Sequence, residues 1–362
     1  TLALALGGEA LAPGVLRVER RLDLHEAQGR FRPTACVTAL PTLWEGPVCA
    51  PEGWLFLDTE TSGLAGGTGT WAFLTGLARL EGASLLLRQY LLTRLDAEPG
   101  YLAAVGTELE GADLLVSFNG KSFDGPLLAT RLRLAGPRGE RGCPRIDGKA
   151  HLDLLHPLRR AFGSVWPDCR LATAEERLLG LRRNGDLPGS EAPAAWLAWL
   201  RRGESGPLKG VLGHNRSDLV SLPALVPALA WALREPGPAG ADVTSVARHH
   251  RQRGDTATAL ALLDRYRDRL DTAGLMELAS LHRRRGDWEA AKATWKRLAE
   301  GGEPAALEAL AKYLEHQAGD YRGALAFARR LPAGGARDRR CRRLIGRLER
   351  AALKRRSRGQ YT

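Results

Sequence analysis

Three stretches near the end of the chain align without a gap: RGDTATALALLDRY (253–266), RGDWEAAKATWKRL (285–298) and AGDYRGALAFARRL (318–331). Their Gly-Asp pairs begin at 254, 286 and 319, spacings of 32 and 33 residues, and Ala259, Ala291 and Ala324 occupy one shared small position. Each pair follows a helical segment and starts another, the pattern of a helical hairpin. Three such hairpins and a basic closing helix at 337–356 form a short solenoid, in which each repeat packs on its neighbours.

The repeat resembles the tetratricopeptide repeat, a helical hairpin with a period near 34 residues. The Pro/Gly stretch EPGPAG (235–240) reads as the boundary before it. Charge divides at the same place. Residues 1–235 carry 26 basic and 26 acidic side chains, whereas 236–362 carry 27 and 15, so the whole excess of +12 lies in the last third. The densest part is 337–362, with 11 basic residues against 2 acidic. That asymmetry suits a polyanionic partner; an Arg-rich solvated surface is the other reading, and both stand at this point.

Before the boundary the chain alternates between strands and helices. Residues 1–52 read as a loosely structured extension, with Gly and Pro scattered through them. WLFLD is a strand, and TWAFLTGLARL (70–80) and ASLLLRQYLLT (83–93) flank a Glu-Gly turn as an antiparallel hairpin. AGGTG (65–69) is a turn and not a phosphate loop, since no Gly-Lys-Ser/Thr follows. A helix over 98–110, a buried strand in 112–120, a helix over 123–136 and a fifth strand, HLDLL (151–155), come next. Helices fill 156–232, broken at 185–189 and 203–207. The expectation is an α/β domain over 53–234, a mixed five-stranded sheet flanked by helices. A linker (235–241) and an all-α helical-hairpin domain (242–362) follow.

Five cysteines without a C-x-x-C pair argue against a disulfide framework and suit a reducing cytoplasm. Cys143, His151, His156 and Cys169 have spacings that fit no common zinc pattern. No apolar run approaches membrane-spanning length, and TLALALGGEA lacks the basic n-region of a secretion leader.

The first strand ends in LFLDTETSGL. Residues i and i+2 of a strand share a face, so Asp58 and Glu60 point the same way. A strand end reaching water accounts for such a pair; a hard divalent cation between them accounts for it better, since such ions take oxygen ligands. Asp124 follows a buried strand in VSFNGKSFDGPLL and starts a helix, where capping alone explains an acid. His214 and Asp218, in HNRSD, are i and i+4 on a helix and share a face. Taken together, the acids match what two-metal phosphodiester hydrolysis needs: several carboxylates around ions about 3.5–4 Å apart, and a group such as His to handle the proton of the attacking water. Asn119, Lys121 and Asn215 are near enough in sequence to touch phosphate, and each fits a turn or cap equally well.

DTETSGL, VSFNGKSFDGPLL, HLDLLHPLRR, LPG and HNRSDLVSL, in this order across roughly 50–235, resemble the DEDD superfamily of 3′–5′ exonucleases with the ribonuclease H-like fold. The resemblance is closest to its YprB-like branch, often fused to tetratricopeptide repeats. It implies that Asp58, Glu60 and Asp218 hold the ion that binds the nucleophilic water. Asp58 would bridge to a second ion, with Asp124 bound to that ion directly or through water, and His214 would be the general base. It also implies that Thr61 and Leu64 contact the terminal nucleotide. The better-known branches carry a His five residues before the last acid, or a Tyr four before it; here a His sits at the four-residue spacing.

The expected activity is a Mg²⁺- or Mn²⁺-dependent 3′–5′ exonuclease on single-stranded nucleic acid, with two ions and a slight lean to DNA. The alternatives are an RNA-processing exoribonuclease, and a scaffold whose repeats bind a protein partner beside a weak nuclease module. No membrane partner is expected.

Overall fold

The computed structural model describes residues 2–25, 29–47, 49–63, 68–135, 146, 148–183 and 185–358, the last five of these without side chains. Leu64, most of the 65–69 turn and Cys143 fall outside them. The chain divides into two units, Thr1–Ala241 and Asp242–Thr362.

The first unit is built on a mixed sheet of strands β1 (Glu9–Ala12), β2 (Val15–Asp23), β3 (Trp54–Thr61), β4 (Ala72–Glu81), β5 (Ser84–Leu92), β6 (Leu114–Ser117) and β7 (Ala150–Asp153). Their spatial order is β1-β2-β5-β4-β3-β6-β7. β3, β4 and β5 form an antiparallel meander, and β6 and β7 join β3 in parallel through helical crossovers. Among the described residues the sheet has seven strands, not five. The two extra strands come from the segment read as an extension. β2 pairs with β5 along nine residues, from Val15 opposite Leu92 to Asp23 opposite Ser84. The pairing covers what would otherwise be an open edge, and Val15, Leu16 and Val18 are buried behind it. Within 235–241, Pro236–Ala239 forms a short helical turn directly after the long helix Gly206–Arg234.

β3 lies inside the sheet between β4 and β6, and its first half is apolar on both faces, as a strand covered from both sides must be; Leu55, Phe56 and Leu57 are fully buried. The helix Ala192–Arg202 is fixed to the end of β5. Trp196 stacks on Phe73 with centroids 4.8 Å apart and donates its indole N–H to the Leu92 carbonyl. Trp199 donates likewise to the Thr93 carbonyl. Among the described residues no helix is long and apolar enough to cross a membrane.

The second unit is helical. Three hairpins pair Val243–Gln252 with Thr256–Arg265, Thr272–Arg284 with Trp288–Glu300, and Pro304–His316 with Tyr321–Arg329; the helix Gly335–Arg358 closes the row. The recurring Gly-Asp has a physical reason. Gly254, Gly286 and Gly319 take positive φ to end the first helix of each hairpin. Asp255, Asp287 and Asp320 then accept backbone N–H groups of the second helix as N-caps. Ala259, Ala291 and Ala324 are fully buried where the helices meet.

Candidate active site

Asp58 stands near the end of β3, opposite Gly76 on β4. A Cβ at Gly76 would lie 2.1 Å from Asn215 Oδ1 and 2.5 Å from a Leu219 methyl, so the bare backbone there lets the long helix press onto the sheet. The close approach delivers Asn215, fully buried, whose amide donates 2.7 Å to Asp58 Oδ2. Gln89 on β5 fixes the Asn215 orientation, donating 2.8 Å to its Oδ1 and 2.8 Å to the Leu212 carbonyl. Glu60 shares the Asp58 face, and the ladder shifts register between Glu60 and Thr61.

Asp124 opens the helix Asp124–Ala135 after β6 and is buried, accepting the Thr59 hydroxyl. The turn that delivers it hangs on Asp153 at the end of β7. That carboxylate accepts the N–H groups of Asn119 (2.8 Å), Lys121 (3.0 Å) and Leu155 (3.0 Å). Asn119 takes a left-handed conformation, φ 68°, to make the turn.

On the long helix, His214 Nε2 lies 3.8 Å from Asp218 Oδ2, and its Nδ1 lies 2.8 Å from Asp186 Oδ2. An ionised carboxylate only accepts, so the 2.8 Å contact to Asp186 favours the proton on Nδ1 over the longer 3.3 Å contact from Arg183 and turns Nε2 to the Asp218 side. Burial resists ionisation of Asp186, but its bonds to Arg183 and His214 outweigh that and bring it below the usual carboxylate range. Arg183 is the hub. It pairs with both oxygens of the buried Glu175 (2.6 and 2.7 Å), with Asp186 (2.9 Å) and with Asp218 Oδ1 (2.5 Å). The last contact lacks hydrogen-bond geometry, and Asp218 Oδ1 is buried without a hydrogen-bond partner. Glu175 also accepts the Ser221 hydroxyl, and it points inward from a π-helical turn, Glu175–Leu179, closed by Gly180 at φ 72°.

The four sequence-predicted acids act on one another. Burial, with Asp218, Glu60 and Asp124 facing it, pushes the Asp58 carboxyl well above the usual range, although Asp58 keeps an edge open to solvent. Burial, Asp218, Asp124 and Asp186 push Glu60 up to about 8. Burial carries Asp124 to about 6 against the Thr59 hydroxyl, and it raises Asp218 against the pull of Arg183 and His214. Such a set holds protons that a cation would displace. The all-oxygen donor set fits a hard divalent ion, with Asp218 Oδ1 paired to Arg183 by charge but without a hydrogen bond. Among the described residues, no three acidic, histidine or cysteine side chains are drawn together as a finished metal cage. Donor chemistry, not a preformed geometry, therefore carries that fit.

Residues 55–230 match the RNase_H superfamily. The chain is also 32% identical over 284 residues to a protein of Bacillus subtilis (strain 168) described as "Uncharacterized protein YprB", covering 75% of this chain and 67% of that one. The chain belongs to the ribonuclease H superfamily. The meander β3–β4–β5 followed by parallel β6 and β7, with acids at the end of β3, after β6 and on the last long helix, accords with that membership. It suggests nuclease chemistry, for which enzymes of this superfamily typically use divalent metals.

The other sequence candidates lie as follows. Thr61 is buried and donates to the Gly63 carbonyl at 2.9 Å. Asn119 and Lys121 are exposed beside the Asp124 turn. Asn215 is enclosed against Asp58 and has no surface to offer a phosphate. Sequence reasoning missed Arg183, Asp186, Glu175, Gln89 and Asp153. GDLPG reads in sequence as a helix break, and the charged RRNGD run ahead of it is the one signal, separated from the His214–Asp218 helix by the helix Ala192–Arg202.

Proposed function

We propose that the chain is a divalent-metal-dependent 3′–5′ exonuclease that hydrolyses single-stranded nucleic acid with Mg²⁺ or Mn²⁺. The observation that carries this is the placement of Asp58 and Glu60 on one face of β3, with Asp124 at the start of the helix after β6 and Asp218 on the long helix seated against Asp58 through Asn215, beside His214 held by Asp186. Those four carboxylates would hold the ions. Bound there, divalent ions neutralise phosphoryl charge and make water a nucleophile at neutral pH. His214 Nε2 takes the proton of the attacking water, and Asp186 stabilises the imidazolium through Nδ1. Asn215 and Gln89 hold Asp58 in orientation. Directionality and the two-ion stoichiometry rest on the DEDD resemblance. We read the hairpins as tetratricopeptide-like, with their net positive charge turned to nucleic acid and a protein partner as the alternative. The Arg183 contact to Asp218 favours a second reading, a scaffold with a weakly active nuclease unit.

The test incubates DNA and RNA oligonucleotides labelled at the 3′ or 5′ end with wild type and Asp58→Ala, in Mn²⁺, Mg²⁺ or EDTA. Stepwise shortening from the 3′ end, only with a divalent ion and absent in Asp58→Ala, is expected. Cleavage in EDTA, or full activity of Asp58→Ala, refutes the metal centre. A wild type that cuts nothing supports the scaffold.

A further inference from the structure

A cavity of about 650 Å³ lies beside the long helix and is lined by Arg20 of β2 and by Arg182, Arg183, Lys209 and Arg216, among others. A second cavity of about 400 Å³ adjoins it and shares Arg20, Lys209, Gly213 and Arg216. The first contains two acids, Glu175 and Asp186, both already paired with Arg183; the second contains none. Nearby arginines of the sheet are neutralised: Arg17 by Glu9, Arg21 by Glu81, Arg88 by Glu19 and Glu108. Arg20, Lys209 and Arg216 form no ion pair among the described residues. Three cations without an ion-pair partner among the described residues, around one opening, set a positive potential that attracts an anion.

Helix periodicity turns the basic part of this lining, Lys209 and Arg216, away from Asp218, while Arg183 and Asp186 border both. Lys209, Gly213, Arg216 and Val220 follow i, i+4, i+7 and i+11 and form one face. Asp218 is two residues beyond Arg216, about 200° round the helix. Gly213 has nothing within 4 Å of where a Cβ would stand, so backbone is open to a ligand there.

We propose that this cavity is a phosphate-binding site, with Arg20, Lys209 and Arg216 as its cations. Its ligand is a phosphate group, from the backbone of a nucleic-acid strand running past the carboxylate cluster or from a free mononucleotide. The strand source rests on the nuclease reading above; the phosphate site itself does not. Arg20 and Lys209 are exposed and Arg216 is half-buried, so neutralising them leaves the fold standing.

The full chain and the triple variant Arg20→Gln/Lys209→Gln/Arg216→Gln are compared in EDTA, which stops cleavage. Anisotropy of labelled single-stranded DNA and RNA is read across a salt series, and inorganic phosphate is titrated calorimetrically. For the strand source, the variant binds oligonucleotides about tenfold more weakly, and the log–log salt slope falls by about 0.7 for each phosphate it no longer neutralises. Arg20→Lys/Arg216→Lys, which keeps the charge, retains affinity. Loss of inorganic phosphate binding with oligonucleotide affinity unchanged assigns the site to a free phosphate ligand. Oligonucleotide and phosphate binding both equal to wild type overturn the proposal. A wild type that binds no oligonucleotide refutes the nuclease reading, and the phosphate titration still decides the cavity.

Discussion

Replacing Glu60 by Gln should stabilise the metal-free protein at alkaline pH. Folded Glu60 keeps its proton up to about pH 8, whereas a free glutamate releases it near 4.5. Between those values the folded state binds the extra proton, so stability is greatest at low pH and is lost as pH rises to 8. The full shift sets an upper bound of about 4 kcal/mol at pH 8; side-chain relaxation and water entry reduce that to about 1–2 kcal/mol. Glutamine has the same shape and no charge to lose. At about 2–4 °C per kcal/mol for a unit of this size, the variant should melt about 2–8 °C higher at pH 8. Near pH 5 the two proteins should nearly coincide. Tryptophan fluorescence reports the relevant transition, because seven of the nine tryptophans lie in residues 1–241. Melts are run in EDTA from pH 5 to 8.5. Mn²⁺ should then raise the wild type more than the variant, having one more carboxylate to neutralise. Equal pH slopes for the two proteins, or a variant that melts lower at pH 8, would refute the reasoning that Glu60 sits among repelling carboxyls.

Other perturbations separate the parts of the molecule. His214→Ala should cut turnover by about 10²–10⁴ without changing the Mn²⁺ concentration for half activity; a large rise in that concentration, with turnover restored at saturation, makes His214 a ligand instead. Gly76→Ala places a methyl against Asn215 and Leu219, costs about 1–3 kcal/mol, and should lower both the melting temperature and cleavage; unchanged activity would show that the helix seat is not needed. Asp287→Ala removes an N-cap and should cost the second unit about 1 kcal/mol in a denaturant melt, leaving oligonucleotide affinity as it was. Arg339→Glu/Arg342→Glu/Arg350→Glu, all exposed on the closing helix, should weaken binding to every oligonucleotide sequence and flatten its salt dependence. Arg340 and Arg343 are left alone because they hold Glu315.

Much of the architecture was legible because it is local. The hairpin β4–β5, the buried β6 and the helices around the Gly-Asp pairs are written in periodicity and turn residues, and they form where the spacing predicts. The two first strands were not legible for a non-local reason. VLRVERRLD carries four arginines and glutamates among its nine residues, and what makes it a strand is the length of β5 it pairs with, some seventy residues away; EALA in turn pairs with β2. Asp58, Glu60 and Asp124 were readable as acids at element ends and Asp218 as an acid one turn after His214 on a helix, and the family resemblance joined the four into one candidate set.

The clamp behind those acids was hidden because its residues look ordinary one at a time. Arg183 and Asp186 flank a turn, Glu175 lies in an amphipathic stretch, and only the fold brings them to His214 and Asp218. Their burial gives them weight. Glu175 and Arg183 are held by two bonds to each other, and an uncompensated charge there costs about 3–5 kcal/mol, so neither can be removed without the other. With Asp186 fixed by Arg183, the proton of the His214 imidazole is favoured on Nδ1 and Nε2 turns to the Asp218 side. Arg183 also stands 2.5 Å from Asp218, so one guanidinium steadies the base and offsets the charge of a candidate metal ligand. The same Arg183 and Asp186 line the basic cavity on the other side. An anion bound there would pull on a cation that Asp218 also shares, which physically links strand binding to the carboxylate cluster.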